Sequence, residues 1–293
     1  MGVVCNWESK VAAAAEAFRQ KTMATAAGMQ RRKEDEGQKM NNLFGYDDEG
    51  DNLVCVTSGV SYLGHALVNQ LLLRGYSVRI IVDNQEEIEK VKEIERRRKS
   101  NIEVIMVKLS DNNVHNLEKA FQGCHALFHT SSFTDPAGLS GYTLWYALGK
   151  MRAERSAWRI ANEKGLKLTT ICPALITGPQ FCHKNPTPTI AYLKGAKEMY
   201  SHGLLATIDV TKLAEAHVSV LKEMNMNAYG RYICFDNVID TQNEAEKLAM
   251  EIGMPKEKIC GDTSNNSLHR FVMSNEKLYR LMSRPLRCYS EHY

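Results

Sequence analysis

The chain has 293 residues, is 44% hydrophobic and 24% charged, and carries a formal net charge of +3. That length supports one substantial α/β core, or a core plus a small second lobe. The near-balanced charge demands neither nucleic acid nor a lipid surface as partner, and no run of about 18 apolar residues is present to form a membrane span. Residues 1–52 differ in composition from the rest. They hold a possible helix over 9–27, then a charged, glycine-containing stretch ending in Asp47-Asp48-Glu49-Gly50-Asp51. This reads as a mobile leader.

The core begins at Leu53-Val-Cys-Val56, a short apolar strand. A tight turn leads into a helix from about Leu63 to Arg74, closed by Gly75. Ser77–Val82 is the next strand, Gln85–Lys99 a charged helix, and Glu103–Val107 a third strand. Asn113–Phe121 is a short helix, and Ala126–His129 a fourth strand. Four strands alternating with helices imply a parallel sheet covered on both faces. A long helix follows over about Leu144–Lys164, then a strand at Leu168–Cys172. Further elements are a helix around Thr189–Tyr200, an extended Leu204–Ile208, a helix Asp209–Glu223 with Asp209 as N-cap, a strand Arg231–Phe235, and helices at Thr241–Ile252 and Ser274–Met282. The layout divides into a nucleotide-binding domain over 53–180 and substrate-lobe segments over 181–293, of which 204–240 return to the core.

Eight cysteines are spread through the chain with no Cys-x-x-Cys pair. Cys55 and Cys172 sit in apolar runs and read as buried thiols. A reducing, cytoplasmic setting fits this usage, and no metal site is indicated.

Val56-Thr-Ser-Gly-Val-Ser-Tyr-Leu-Gly64 lies between the first strand and the first helix, the context a dinucleotide fingerprint requires. Backbone N–H groups and the helix start can face a pyrophosphate there. The candidate contacts are Thr57, Ser58, Gly59, Ser61, Tyr62, Leu63 and Gly64. Ser58 and Ser61 stand where glycine is easier, but serine is small and offers a hydroxyl. Asp83 ends the second strand, where an acid can bind adenosine ribose hydroxyls and repel a 2′-phosphate. Taken alone it favours NAD over NADP. The alternative is that Asp83-Asn84 only starts a turn.

Tyr146 and Lys150 share a helix face at i,i+4 spacing. A lysine ammonium lowers the pKa of a neighbouring phenol, which then delivers a proton to a carbonyl oxygen during reduction. The same lysine can hold a nicotinamide ribose.

Five segments stand in family order: Val54–Gly59, Phe128–Ser132, Trp145–Lys150, Ile171–Pro179 and Ile208–His217. On them the chain resembles the extended short-chain dehydrogenases/reductases, close to plant cinnamoyl-CoA reductase-like and dihydroflavonol reductase-like proteins, over about residues 53–285. The resemblance implies a Rossmann-like α/β fold, NADP or NAD as cofactor, and a small aromatic thioester, aldehyde or ketone as substrate. It makes Tyr146 the proton donor and Lys150 its partner. It places Thr130 and Ser131 along the cofactor and Pro173 to Pro179, with Ile176 among them, beside the nicotinamide. The family also has a serine or threonine at the end of a fifth parallel strand. That helix, strand and loop need about 60 more residues than lie between His129 and Tyr146. One central strand is therefore expected to be missing. The alternative to a working reductase is a catalytically impaired, truncated isoform that retains at most nucleotide binding. Oligomeric state is not readable.

Overall fold

The computed structural model describes residues 52–97, 101–109, 114–130, 142–179, 193, 195–260 and 271–283, with backbone alone at 94–97 and 142–147. The leader over 1–52 and the loop carrying Ser131 lie outside these residues, except Asn52. Contacts divide the chain into two units, and the division falls between Thr57 and Ser58.

The first unit comprises Met1–Thr57 with Tyr76–Phe128. Its described strands are β1 (Leu53–Val56), β2 (Ser77–Val82), β3 (Ile102–Met106) and β4 (Ala126–Phe128). They form one all-parallel sheet in the order β3-β2-β1-β4. Two helices connect them, α2 (Gln85–Arg97) and α3 (Val114–Phe121). β1 is buried at Val54, Cys55 and Val56, because a parallel strand inside such a sheet is covered on both faces. Cys55, Ile81, Ala120 and Cys124 form a small core, with Leu53, Ile105, Val107 and Phe121 packed against it.

The second unit comprises Ser58–Gly75 with His129–Tyr293. It opens with α1 (Tyr62–Leu73), which buries Gly64, Leu67, Val68 and Leu71, one stripe at helical spacing. Gly75 follows with φ +79°, the left-handed residue that ends many helices. Next come α4 (Tyr142–Lys164), β5 (Thr169–Pro173), β6 (Leu175–Thr177), α5 (Ala196–Ser201), β7 (Ala206–Asp209) and α6 (Val210–Glu223). The unit continues with β8 (Gly230–Cys234), β9 (Asn237–Val238), α7 (Gln242–Ile252) and α8 (Glu276–Met282). β5 pairs with β8 in parallel. β6 pairs with β7 in parallel, and β9 returns antiparallel to β7. Asp209 caps α6, accepting from the Thr211 and Lys212 N–H groups. Thr241 and Glu244 close α7 with a capping box. One core gathers Leu175, Leu205, Leu248 and Ile252, and a second gathers Ile176, Ile208, Leu213 and Tyr232.

The short strands β6 and β9 escape a reading by apolar runs, since each has only two or three residues. Cys172 is a correction. It is exposed, as is its cross-strand partner Ile233, because this face of the β5–β8 pair is not covered by the described residues.

Among the described residues the strands fall into three hydrogen-bonded sheets. β4 pairs only with β1, and β5 only with β8, among the described residues. Leu127 in β4 is 47% exposed and Ile233 in β8 is 45% exposed. Apolar residues of central parallel strands are ordinarily covered.

Candidate active site

The turn after β1 is held from both ends. In the first unit the Thr57 N–H donates to the Phe128 carbonyl at 3.1 Å, which ties the ends of β1 and β4 together. In the second unit the Ser58 carbonyl accepts from the Ser61 N–H at 3.1 Å and from the Ser61 hydroxyl at 2.8 Å. The Ser61 hydroxyl also accepts from the Gly64 N–H at 3.0 Å, so Ser61 is the N-cap of α1. The proton of that hydroxyl is therefore committed within the turn. Of the four donors at a helix start, this leaves those of Tyr62 and Leu63 without an intrahelical acceptor. Gly59 and Gly64 are both buried. A Cβ on Gly64 would stand 1.8 Å from the Ser58 carbonyl oxygen, so the turn folds this closely only over glycine. This arrangement fits a dinucleotide pyrophosphate: a tight cradle with spare N–H groups at a helix start.

Tyr62 anchors the turn further. Its hydroxyl donates to the Pro179 carbonyl at 2.8 Å. Gly178, with φ +133°, makes room, since a Cβ there would lie 2.8 Å from that hydroxyl and 3.0 Å from an Asp209 oxygen. Burial, then the Asp209 charge, push the Tyr62 phenol up to about 12, so it stays a donor. Sequence reading listed Tyr62 for its place in the turn and missed this link. The adjacent Gly178-Pro179 pair is its only trace in the sequence.

Asp83 follows β2 and is exposed. Its backbone N–H donates to Glu87 at 2.8 Å, and its carboxylate accepts from the Leu109 N–H at 3.4 Å. Asn84 accepts from the Glu87 N–H at 3.0 Å. The turn-starting task thus falls to Asn84 and Glu87, and one Asp83 contact at the limit of hydrogen bonding leaves acceptor capacity for a ribose hydroxyl.

Tyr146 and Lys150 both belong to α4, one turn apart on one face. Lys150 is exposed, yet crowding by its surroundings lowers its ammonium pKa. Contact with water keeps that lowering modest. His129 lies within electrostatic reach of it: burial, then the Lys150 charge, push the imidazole down. Next to His129, the Thr130 hydroxyl is buried and has no hydrogen-bond partner among the described residues. A buried unmatched hydroxyl is costly, and a ligand hydroxyl or amide would relieve it. Pro173 ends β5, partly buried opposite Cys234. Ile176 is buried in β6, and its side chain packs in the core with Ile208 and Leu213.

Sequence reading did not single out Glu154, one turn beyond Lys150. Its carboxylate accepts from Arg231 through Nε and Nη2, the latter at 2.9 Å, from the Thr170 hydroxyl at 2.9 Å and from the Trp158 indole at 3.3 Å. These bonds pin α4 to β5 and β8, and so fix the helix that carries Lys150.

No protein-family model matches the chain. It is 28% identical to cinnamoyl-CoA reductase 2 of Medicago truncatula, over 78% of this chain and 85% of that protein. The chain is a homologue of the cinnamoyl-CoA reductases. Cinnamoyl-CoA reductase 1 of Petunia hybrida is 25% identical over 77% of this chain and 85% of its own. Among solved structures, vestitone reductase from alfalfa has a TM-score of 0.54 at 16% identity, covering 78% of this chain and 91% of its own. Yeast methylglyoxal/isovaleraldehyde reductase Gre2 complexed with NADPH has a TM-score of 0.53 at 18% identity, covering 81% and 94%. The fold is that of the extended short-chain dehydrogenases/reductases.

The same alignments measure what this homologue lacks. The match to the Medicago protein spans 294 positions, yet 78% of 293 residues is only about 229. Roughly 65 positions of the relative therefore face no residue here. The Petunia match shows the same shortfall, with 291 positions against 77% of the chain. That is enough for a helix, a strand and a loop. In the structure only residues 129–141 separate β4 from α4.

Proposed function

We propose that this chain binds NAD or NADP and belongs functionally with the reductases of small aromatic thioesters, aldehydes or ketones. The observation that carries the reading is the Ser58–Gly64 cradle ahead of a helix bearing Tyr146 and Lys150. In it the Tyr62 and Leu63 N–H groups and the α1 start receive the pyrophosphate, and Asp83 accepts from the adenosine ribose. Thr130 supplies its buried hydroxyl to the cofactor, with Ser131 beside it in sequence. Lys150 holds the nicotinamide ribose, with Pro173 and Ile176 beside the ring.

A bound nicotinamide dinucleotide supplies the hydride. Tyr146 donates its phenolic proton to the carbonyl oxygen, and the Lys150 ammonium stabilises the phenolate left behind.

A second reading has a specific observation behind it. Roughly 65 positions of its relatives face no residue here, and the short span between β4 and α4 is where the strand with the family's carbonyl-orienting serine or threonine would be lost. On that reading the chain binds the dinucleotide and turns over slowly or not at all. A fluorescence titration with NADH and NADPH, followed by NAD(P)H oxidation in the presence of aromatic aldehydes and thioesters, separates the two. Saturable binding with turnover supports the reductase, binding without turnover supports the impaired form, and no binding of either nucleotide overturns both.

A further inference from the structure

Cys55 and Cys124 are brought together in the core of the first unit, 69 positions apart in sequence. Cys55 is the third of the four residues of β1, and Cys124 precedes β4, the strand that pairs with β1. The two thiols share one small buried cluster, close enough for each to shift the proton affinity of the other. A guanidinium sits on the second: Arg79 Nη1 is 3.3 Å from the Cys124 sulfur. Arg79 cannot swing away. The same Nη1 donates to the Ala120 and Gln122 carbonyls at 2.9 and 2.6 Å, and Nε pairs with Glu103 at 2.8 Å. A cation held at a thiol favours the thiolate, and the thiolate is the reactive form.

We propose that Cys55 and Cys124 form a reversible redox site that a small peroxide closes to a disulfide. Interaction with Cys55, then the Arg79 charge, lower the Cys124 thiol against the opposing effect of burial, while the same interaction and burial push Cys55 up. Cys124 is therefore the attacking sulfur and Cys55 the resolving one. The Cys124 thiolate attacks one peroxide oxygen. The O–O bond breaks, and the departing hydroxide takes up the proton that Cys124 released. The product is Cys124 sulfenic acid. The Cys55 sulfur then attacks that sulfur and expels hydroxide, which leaves as water with the Cys55 proton. Two thiols and one hydrogen peroxide thus give one disulfide and two waters. Cys124 is 4% exposed, which selects a small oxidant over a bulky disulfide. The bond would link β1, one residue before the Val56-Thr57 end, to the entry of β4.

The test uses the full chain under native conditions. The protein is treated with hydrogen peroxide, remaining thiols are alkylated after quenching, and peptides are mapped by mass spectrometry with and without later dithiothreitol. The expected product is a Cys55–Cys124 linked peptide pair lighter by about 2 Da, for the two hydrogens removed. It reverts on reduction, and its rate of formation rises with pH from below the ordinary thiol range, because the Cys124 thiol is lowered. Exposed Cys172 serves as the comparison thiol and is expected to stop at oxygenated products. Cys55→Ser should divert Cys124 to sulfenic and sulfinic acid. The proposal is overturned if the pair stays reduced while Cys172 is oxidised, or if the linked peptide forms only after the protein is unfolded. These readouts do not depend on nucleotide binding or turnover.

Discussion

The Tyr62 hydroxyl donates to the Pro179 carbonyl at 2.8 Å and so fastens the first turn of α1 to the segment that follows β6. Both ends of this bond belong to segments proposed to touch the cofactor. Tyr62→Phe keeps the ring packed against the core and removes one hydrogen bond, worth about 1 kcal/mol. A small loss in thermal stability is expected, with a larger proportional loss in NAD(P)H affinity by fluorescence titration. Unchanged affinity would detach this link from cofactor binding.

Gly64→Ala tests the cradle itself. The new Cβ meets backbone at Ser58, not the end of a flexible side chain. The clash should cost more than about 3 kcal/mol or open the turn. Chemical denaturation and nucleotide titration should both register it. Gly149 is a control, since a Cβ there meets nothing within 4 Å.

Tyr146→Phe and Lys150→Ala should differ. Loss of the proton donor lowers turnover by about 10²–10⁴-fold, the usual range for a general acid, with NAD(P)H affinity retained. Loss of Lys150 should lower both turnover and affinity, because it is assigned to the phenol and the ribose together. Single-turnover kinetics beside equilibrium titration would reveal equal effects on binding if the roles are wrong.

Asp83 should govern the choice of dinucleotide. Asp83→Asn removes a negative charge opposite the position of a 2′-phosphate while keeping an acceptor for ribose. The ratio of NADPH to NADH affinity should rise. A ratio that does not move would confine Asp83 to its contact with the Leu109 N–H.

Glu154 predicts a pH dependence of stability. Its hydrogen bonds to Arg231, then to Thr170 and Trp158, hold its carboxyl below the usual carboxylate range. Its contribution is therefore fully present above about pH 4.3, the ordinary glutamate value. It is lost as pH falls through the lowered folded value. Arg231 is 59% exposed, so screening limits the effect of removing the carboxylate to about 1 kcal/mol. Glu154→Gln should lower Tm at neutral pH and converge with the parent in acid.

Much of the fold was legible because regular elements announce themselves locally. β1 and β2 are apolar runs with turn residues after them, α1 shows a buried stripe at helical spacing, and Asp209 stands where an N-cap must. β6 and β9 were not legible, since two or three residues carry no period. Cys172 misled because an apolar neighbourhood in sequence says nothing about which side of a strand is left open. The site divided similarly. The turn, Asp83 and the Tyr146–Lys150 spacing are local patterns, while the Tyr62–Pro179 bond, the Glu154–Arg231 pair and the unmatched Thr130 hydroxyl join residues far apart in the chain or depend on burial.

The order of residues alone determined the alternation of strands and helices, the nucleotide turn, and the shortage of chain between His129 and Tyr146, because each is a matter of spacing along the backbone. Only the folded chain decided how that shortage is met. Among the described residues β5 takes β8 as its partner and β4 takes β1, since strand pairing is a competition among distant segments for the same backbone hydrogen bonds.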